Sequence, residues 1–436
     1  VERSRGLGDV YKRQGYNAGV QYFSRFADQV LEDSLQLMGG VLLEGPRACG
    51  KTSTALQKAA SSVRLDRSPE LITLAELNPA ILLNGPTPRL IDEWQLAPSI
   101  WNTIRHEIDD RQGRGEFILS GSAAPADDTT RHSGAGRFAR LRMRPMSLAE
   151  SGASTNQVSL AELQPGVGVS GVSKLTYKGM AEQAVRGGWP GLLGTNTQQA
   201  VMFNRSYLDN VFDVEVPESV GTRHNQLNIR RTLESIARNI SGEATLKTLA
   251  ADVSSDATTV DPKTVSTYLQ ALTRIFILDE LQPWSVALRS KSRLRTSPKL
   301  HLADPSLACA ALGIGVDRLA KDPEFFGQIF ESMVIRDLRA ASALQHGHVY
   351  HYRDNTGLEV DAIIEYPEDG KWGACEVKLG ASQIPQAEAN LIKLRDERVD
   401  TNRVGSPAYL AIITATEYAY TLPSGVHVIP LGTLTA

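Results

Sequence analysis

Cysteine is scarce. Cys49, Cys309 and Cys375 are the three in 436 residues, with no CxxC pair and no metal spacing among them. That excludes a disulfide-stapled scaffold and a cysteine-ligated structural metal. Cys49 falls inside a glycine-rich loop, which suits a reducing cytosol, and a cytoplasmic location is expected. Long apolar runs are missing too: none approaches the ~20 residues needed to span a bilayer, so no membrane partner is expected. The start shows no signal-peptide pattern. Net charge is only −3, which excludes a globally basic surface and leaves any nucleic-acid contact to a local patch. There is no internal repeat. What remains is a chain that is 42% hydrophobic and 22% charged, globular by composition and long enough for two or three domains.

The most specific segment is "GPRACGKTST" at 45–54, directly after the apolar run Val41-Leu42-Leu43. Its spacing fits G-x-x-x-x-G-K-[ST]. Glycines let the backbone curl so that successive N–H groups point into one concavity, and that concavity opens a helix whose positive end favours anions. Gly45, Pro46, Arg47, Ala48, Cys49, Gly50, Lys51, Thr52 and Ser53 are therefore expected to cradle phosphates. Lys51 would reach the outer phosphates and the Thr52 hydroxyl would ligate Mg2+. "PRLIDEW", 88–94, places Asp92 and Glu93 at a strand end. Asp92 would hold the metal through water, and Glu93 would orient or deprotonate the attacking water. Arg89 departs from the fully apolar strand expected there. "EFILSGS", 116–122, is a third buried-strand pattern, from which Ser120 or Ser122 would sense the γ-phosphate. Arg131 and Arg137, in "RHSGAGRFAR", are candidates for an arginine reaching a neighbouring subunit's nucleotide, which would require a homo-oligomer.

Strand-like and helical runs alternate from about 20 to 150, which predicts a doubly wound parallel sheet. The opening "VERSRGLGDVYKRQ" lacks apolar period, and residues 1–20 read as a non-native leader. Residues 151–174, rich in Ser, Gly and Val, read as a loose insert or linker. The expected domains are 21–200, 201–303 and 304–436. The second is helical: "TLKTLAADV" and "DPKTVSTYLQALTRI", followed by strand-like "FILDELQPW" and "KLHLAD", resemble a winged helix. Between those strands, 287–299 carries Arg289, Lys291, Arg293, Arg295 and Lys299 without an acid, either a solvated hairpin or a wing contacting DNA phosphates.

The third domain reads as helix, three strands, helix, strand. Glu376 and Lys378 are two apart on a strand and face one side, with Cys375 and Val377 on the other. Asp361, fourteen intervening residues and then Glu-x-Lys give the spacing of PD-(D/E)xK nucleases. Asp361 and Glu376 could hold Mg2+, Lys378 could stabilise charge or help deprotonate water, and Glu331 on the preceding helix could complete the metal shell. Val360 stands where the motif's proline belongs. An exposed strand with alternating charges would give the same local pattern.

The whole of "GPRACGKT", "LIDEWQ", "LSGS", "RLRMRPMSLAE", "GGWP", "FESMVIRDL" and "EVDAII…CEVKLG" resembles a family of bacterial and archaeal AAA-type ATPases, over most of residues 25–430. Members carry a C-terminal domain of unknown function that looks like a PD-(D/E)xK nuclease. The resemblance implies an α/β fold of P-loop ATPase, winged-helix-like and restriction-endonuclease-like domains. It also implies ATP and Mg2+ as cofactors, ATP hydrolysis and a DNA-linked role. A regulatory ATP switch whose degenerate nuclease fold serves only for docking is the alternative.

Overall fold

A computed structural model describes residues 22–123, 134–217, 225–254, 259–284 and 297–436. The expected leader, Arg131, and Arg289, Lys291, Arg293 and Arg295 lie outside the described residues.

Five strands make the first sheet: β1 (Gly40–Glu44), β2 (Ser61–Arg64), β3 (Arg89–Asp92), β4 (Phe117–Gly121) and β5 (Phe138–Arg142), in the order β2-β3-β4-β1-β5. All four pairings are parallel. A parallel sheet needs cover on both faces, and alternate residues show it. Val41 and Leu43 of β1, Leu90 of β3 and Ile118 of β4 join one core, with Leu31, Leu35 and Ala55 of the helices Phe26–Leu37 and Lys51–Lys58. Leu42, Ile91, Phe117 and Leu119 join another, under Ile100, Trp101, Ile104 and Ile108 of the helix Ile100–Arg111. The order sets the carboxyl end of β1 between β4 and β5, and in open α/β sheets ligands bind outside such strand ends. Arg89 breaks the apolar pattern of β3 because it sits at the opposite end. There its guanidinium donates to the Leu82 carbonyl at 2.6 Å and to Ser61 Oγ at 2.8 Å.

The middle of the chain is helical. Local chemistry sets its helix starts: Thr245 Oγ1 accepts from the Thr248 N–H, and Asp261 accepts from the Lys263 N–H just before Pro262. The segments after the helix Pro262–Arg274 meet in antiparallel fashion, Leu278 opposite Leu302 and Leu281 opposite Lys299.

The stretch 151–174 is not the loose linker its composition suggests. Within it, β6 (Val158–Ser159) pairs with β14 (Leu434–Thr435), and β7 (Gly171–Val172) pairs with β12 (Tyr418–Thr421). Two-residue strands carry no period for a sequence to show, and their partners lie some 250 residues away. A seven-stranded sheet results, ordered β7-β12-β13-β11-β10-β9-β8, with β8 (His348–Arg353), β9 (Glu359–Tyr366), β10 (Lys371–Lys378), β11 (Tyr409–Thr414) and β13 (His427–Pro430). β8, β9 and β10 are antiparallel neighbours, and β11 runs parallel to β10 after the helix Ile384–Lys393.

Candidate functional site

The loop after β1 is shaped by close approach. A Cβ on Gly45 would lie 2.2 Å from the Met143 carbonyl oxygen, so only glycine lets the loop lie against the end of β5. Gly50 takes the left-handed conformation, φ 103°, and caps the helix Lys51–Lys58. Lys51 is buried, and its ammonium donates to the Gly45 and Pro46 carbonyls at 2.9 and 2.8 Å. Thr52 Oγ1 donates to the Asp92 carboxylate at 3.0 Å. The two residues expected to hold Mg2+ are thus adjacent, and both offer the hard oxygen donors that Mg2+ requires. Burial raises the Asp92 pKa against the opposing pull of Ser120 and Thr52.

Glu93 turns out of β3 with φ 55°, which aims its side chain toward the cavity and away from the sheet. Its carboxylate accepts from Gln95 Nε2 at 2.5 Å and from Ser122 Oγ at 3.4 Å. Lys51, Thr52 and Glu93 line one cavity of 1090 Å³ with Arg47, Ala48 and Ser53. Phe23, Met146, Pro190 and Leu193 add apolar lining, which could take a flat base.

Three expected loop or strand residues have partners for their side chains within the protein. Cys49 is fully buried under the loop, 4.0 Å from the Met143 carbonyl oxygen. Ser120, expected near the γ-phosphate, is buried and gives its hydroxyl to Asp92. Arg137 precedes β5, level with Gly39 at the amino end of β1, and forms an ion pair with Asp109 at 2.6 Å. β1 has five residues, so at 3.3 Å each Arg137 lies roughly 16 Å from its own phosphate loop. Arg47, in the cavity lining, also pairs with Glu215 at 3.3 Å.

Arg25 was not visible in the sequence. It is buried, and its guanidinium donates to the Cys49 carbonyl at 2.8 Å, the Arg144 carbonyl at 2.8 Å and Glu150 Oε1 at 3.0 Å. It ties the back of the loop to the end of β5. The signal was an arginine just before the first helix and an acid in "RPMSLAE", 125 residues apart. Gln95, in "DEWQ", was also passed over.

Behind the loop lies a second group of charges. Asp279 accepts from Arg144 Nε at 2.8 Å and pairs with Arg339 Nη1 at 2.7 Å and Arg142 Nη2 at 3.3 Å. Burial pushes its pKa up, but the three guanidinium groups overcome that and hold it well below the usual carboxylate range. Arg142 ends β5 and Arg144 lies two residues beyond it, Asp279 comes from the middle of the chain, and Arg339 from the helix Pro323–Ser342.

In the third domain, Asp361, Glu376, Lys378 and Glu331 come together, joined by Lys299. Lys378 Nζ lies 2.6 Å from Glu376 Oε2 and 3.4 Å from Asp361 Oδ2. Lys299 Nζ lies 2.7 Å from Glu331 Oε1 and 3.5 Å from Asp361 Oδ1. The Val377 N–H donates to Asp361 Oδ2 at 2.8 Å, and Asn390 Nδ2 donates to Glu376 Oε1 at 2.9 Å. Burial and the Asp361 charge raise the pKa of Glu331 and of Glu376. Burial would raise Asp361 as well, but Lys299 and Lys378 bring it below the usual range. Among the described residues no three His, Cys, Asp or Glu, those expected at Asp361, Glu376 and Glu331 included, are grouped as they would be around a metal ion. The two ammonium groups stand among the carboxylates instead. Lys299, expected either on a solvated hairpin or on a wing contacting DNA, is turned inward with its side chain only 7% exposed.

Comparison with known proteins gives three partial matches to family models. Residues 39–152 match an AAA domain, residues 177–318 a domain of unknown function (DUF8612), and residues 326–434 another domain of unknown function (DUF4143). No curated protein matches the chain. Among solved structures, the Walker-type ATPase of Pyrococcus abyssi is similar over 67% of this chain and 96% of that one, at 11% identity and a TM-score of 0.41. No helix among the described residues is long and apolar enough to cross a membrane. The AAA-domain match and the geometry of the loop together support an AAA-type P-loop domain that binds ATP.

Proposed function

We propose that the protein hydrolyses ATP and passes the resulting change to a C-terminal docking unit. The observation that carries hydrolysis is the convergence of Lys51, Thr52 and Glu93 on one cavity, with Asp92 hydrogen-bonded to Thr52. Lys51 neutralises the outer phosphates. Thr52 and Asp92 would hold Mg2+, the Asp92 carboxylate through water. Bound there, Mg2+ would neutralise charge on the β- and γ-phosphates. Glu93, positioned by Gln95 and Ser122, orients the attacking water. Phe23, Pro190 and Leu193 offer apolar surface to the adenine ring.

The docking assignment is supported by the carboxylate cluster, whose acids are already paired with Lys299 and Lys378. A metal-dependent nuclease is the second reading, favoured by the meeting of Asp361, Glu376 and Lys378 at one end of β9 and β10. A role on DNA rests on the composition of 287–299. Steady-state ATP turnover of wild type, Lys51→Ala and Glu93→Gln tests the first claim, and equal rates in all three would reject it. A plasmid-nicking assay with Mg2+ tests the second, and cleavage by wild type that Asp361→Ala abolishes would replace docking with catalysis.

A further inference from the structure

We infer that Lys299 is a built-in cation, standing where a divalent ion would otherwise sit in the C-terminal carboxylate cluster. The inference rests on reading that cluster as nuclease-like. Each Asp361 oxygen faces its own ammonium, Oδ1 toward Lys299 and Oδ2 toward Lys378. Glu376 is taken up by Lys378 and Asn390. Glu331 and Asp361, the two acids that would share an ion, instead share the Lys299 ammonium. Mg2+ asks for oxygens at 2.0–2.1 Å in near-octahedral array, and an ammonium 2.7 Å from Glu331 occupies that volume and repels the ion.

Charge leads to the same conclusion. Three carboxylates face two ammonium groups. Without Lys299 they would face one, a formal deficit of two positive charges, which a divalent ion supplies. Lys378 belongs to the Glu-x-Lys pattern and comes from the same strand as Glu376. Lys299 does not: it enters from the middle of the chain, where its N–H donates to the Leu281 carbonyl at 3.0 Å and its carbonyl accepts from Leu281 N–H at 2.9 Å. Main-chain bonds on both sides fix the stem, so the ammonium is delivered by backbone pairing and is not a free surface lysine folded inward. The middle segment thereby supplies the cation that the C-terminal unit lacks.

The test is Mn2+ uptake by full-length protein without nucleotide, followed by electron paramagnetic resonance and calorimetry, in a Lys51→Ala background that disables the phosphate loop. With Lys299 present, no uptake that depends on Asp361 is expected. Lys299→Met keeps the apolar stem and should gain one Mn2+ per chain that the parent does not take up, and adding Asp361→Asn should remove that gain. Lys299→Gln should gain it as well, and Lys299→Arg, which keeps the charge, should not. The two neutral variants guard against one of them failing to fold. Asp361-dependent uptake by the parent, or none by a folded neutral variant, overturns the inference. Nicking of plasmid by Mn2+-loaded Lys299→Met would support the nuclease-like reading on which it rests. Uptake without nicking would leave Lys299 as the resident cation and remove nuclease chemistry.

Discussion

Asp279 offers the sharpest structural test. Asp279→Asn keeps the shape of the side chain and removes its charge. Asp279 is fully within the protein, and three guanidinium groups converge on it. Removing one partner of a buried ion pair costs about 3–5 kcal/mol, because the other charge stays behind unpaired. The three arginines are not equal. The Arg142 side chain is 34% exposed and can turn toward water, whereas that of Arg339 is 10% exposed and cannot. Most of the cost should therefore come from Arg339. In an Arg339→Met background the same substitution should cost less by ~1–3 kcal/mol, the interaction energy typical of contacting residues. Urea unfolding followed by one probe, with its slope compared between variants, gives each number. The pH dependence is also fixed. The carboxyl is held well below its ordinary value, so its stabilisation is fully present above pH ~4 and is lost only as pH falls through the depressed value. The gap between wild type and Asp279→Asn should be flat at neutral pH and close in strong acid. A cost below about 1 kcal/mol, or the same cost with and without Arg339, would refute the idea that this network holds the three parts of the chain together.

At the phosphate loop, Glu93→Gln should bind ATP as wild type does while turnover falls at least ~100-fold, the contribution typical of a positioned base; equal single-turnover rates would remove Glu93 from that role. Gly45→Ala would push a methyl to 2.2 Å from the Met143 carbonyl, so ATP affinity should drop and stability fall by ~1–3 kcal/mol, with unchanged calorimetry and melting showing that the loop can shift freely. Glu376 is held neutral more easily than in the unfolded chain, so its contribution is full below pH ~4.3 and is lost as pH rises through the raised value. Glu376→Gln should flatten the fall in stability across that window, and an unchanged profile in denaturant titrations would mean that the pair with Lys378 keeps Glu376 ionised throughout.

The first sheet was legible because its signals are local. The apolar runs at Val41–Leu43 and 116–122, the glycines of the loop and the acid at the end of β3 each lie within a few residues of what they specify. The strands read from 88–94 and 116–122 fall at Arg89–Asp92 and Phe117–Gly121, within two residues at each end. The convergence of Asp361, Glu376 and Lys378 was legible too, since strand alternation places alternate residues on one face. What escaped is what depends on distant partners. Arg25 looks like an ordinary helix-leading arginine until Cys49, Arg144 and Glu150 surround it. Lys299 looks like the last of a run of surface cations until Glu331 and Asp361 claim it. β6 and β7 are too short to have a period, and only the C-terminal strands they join make them strands.

If the proposed ATP-driven change occurs, the distant partners offer it a contiguous path from the loop to the helix Pro323–Ser342. Met143 sits against Gly45, and the Arg144 carbonyl shares Arg25 with the Cys49 carbonyl. The Arg144 side chain then holds Asp279, and Asp279 holds Arg339 on the helix that carries Glu331. A ligand can bias such a chain of contacts only by binding one arrangement better than another. Apolar packing would tolerate small slides along this path, whereas buried charges tolerate few, because a guanidinium that leaves its carboxylate is left desolvated and unpaired. The loop, the end of β5 and the helix Pro323–Ser342 are thus joined by contacts that either hold or break. The proposed nucleotide-driven switch would need that discreteness, and Asp279 and Arg25, neither of which lies in a catalytic motif, would stand at its joints.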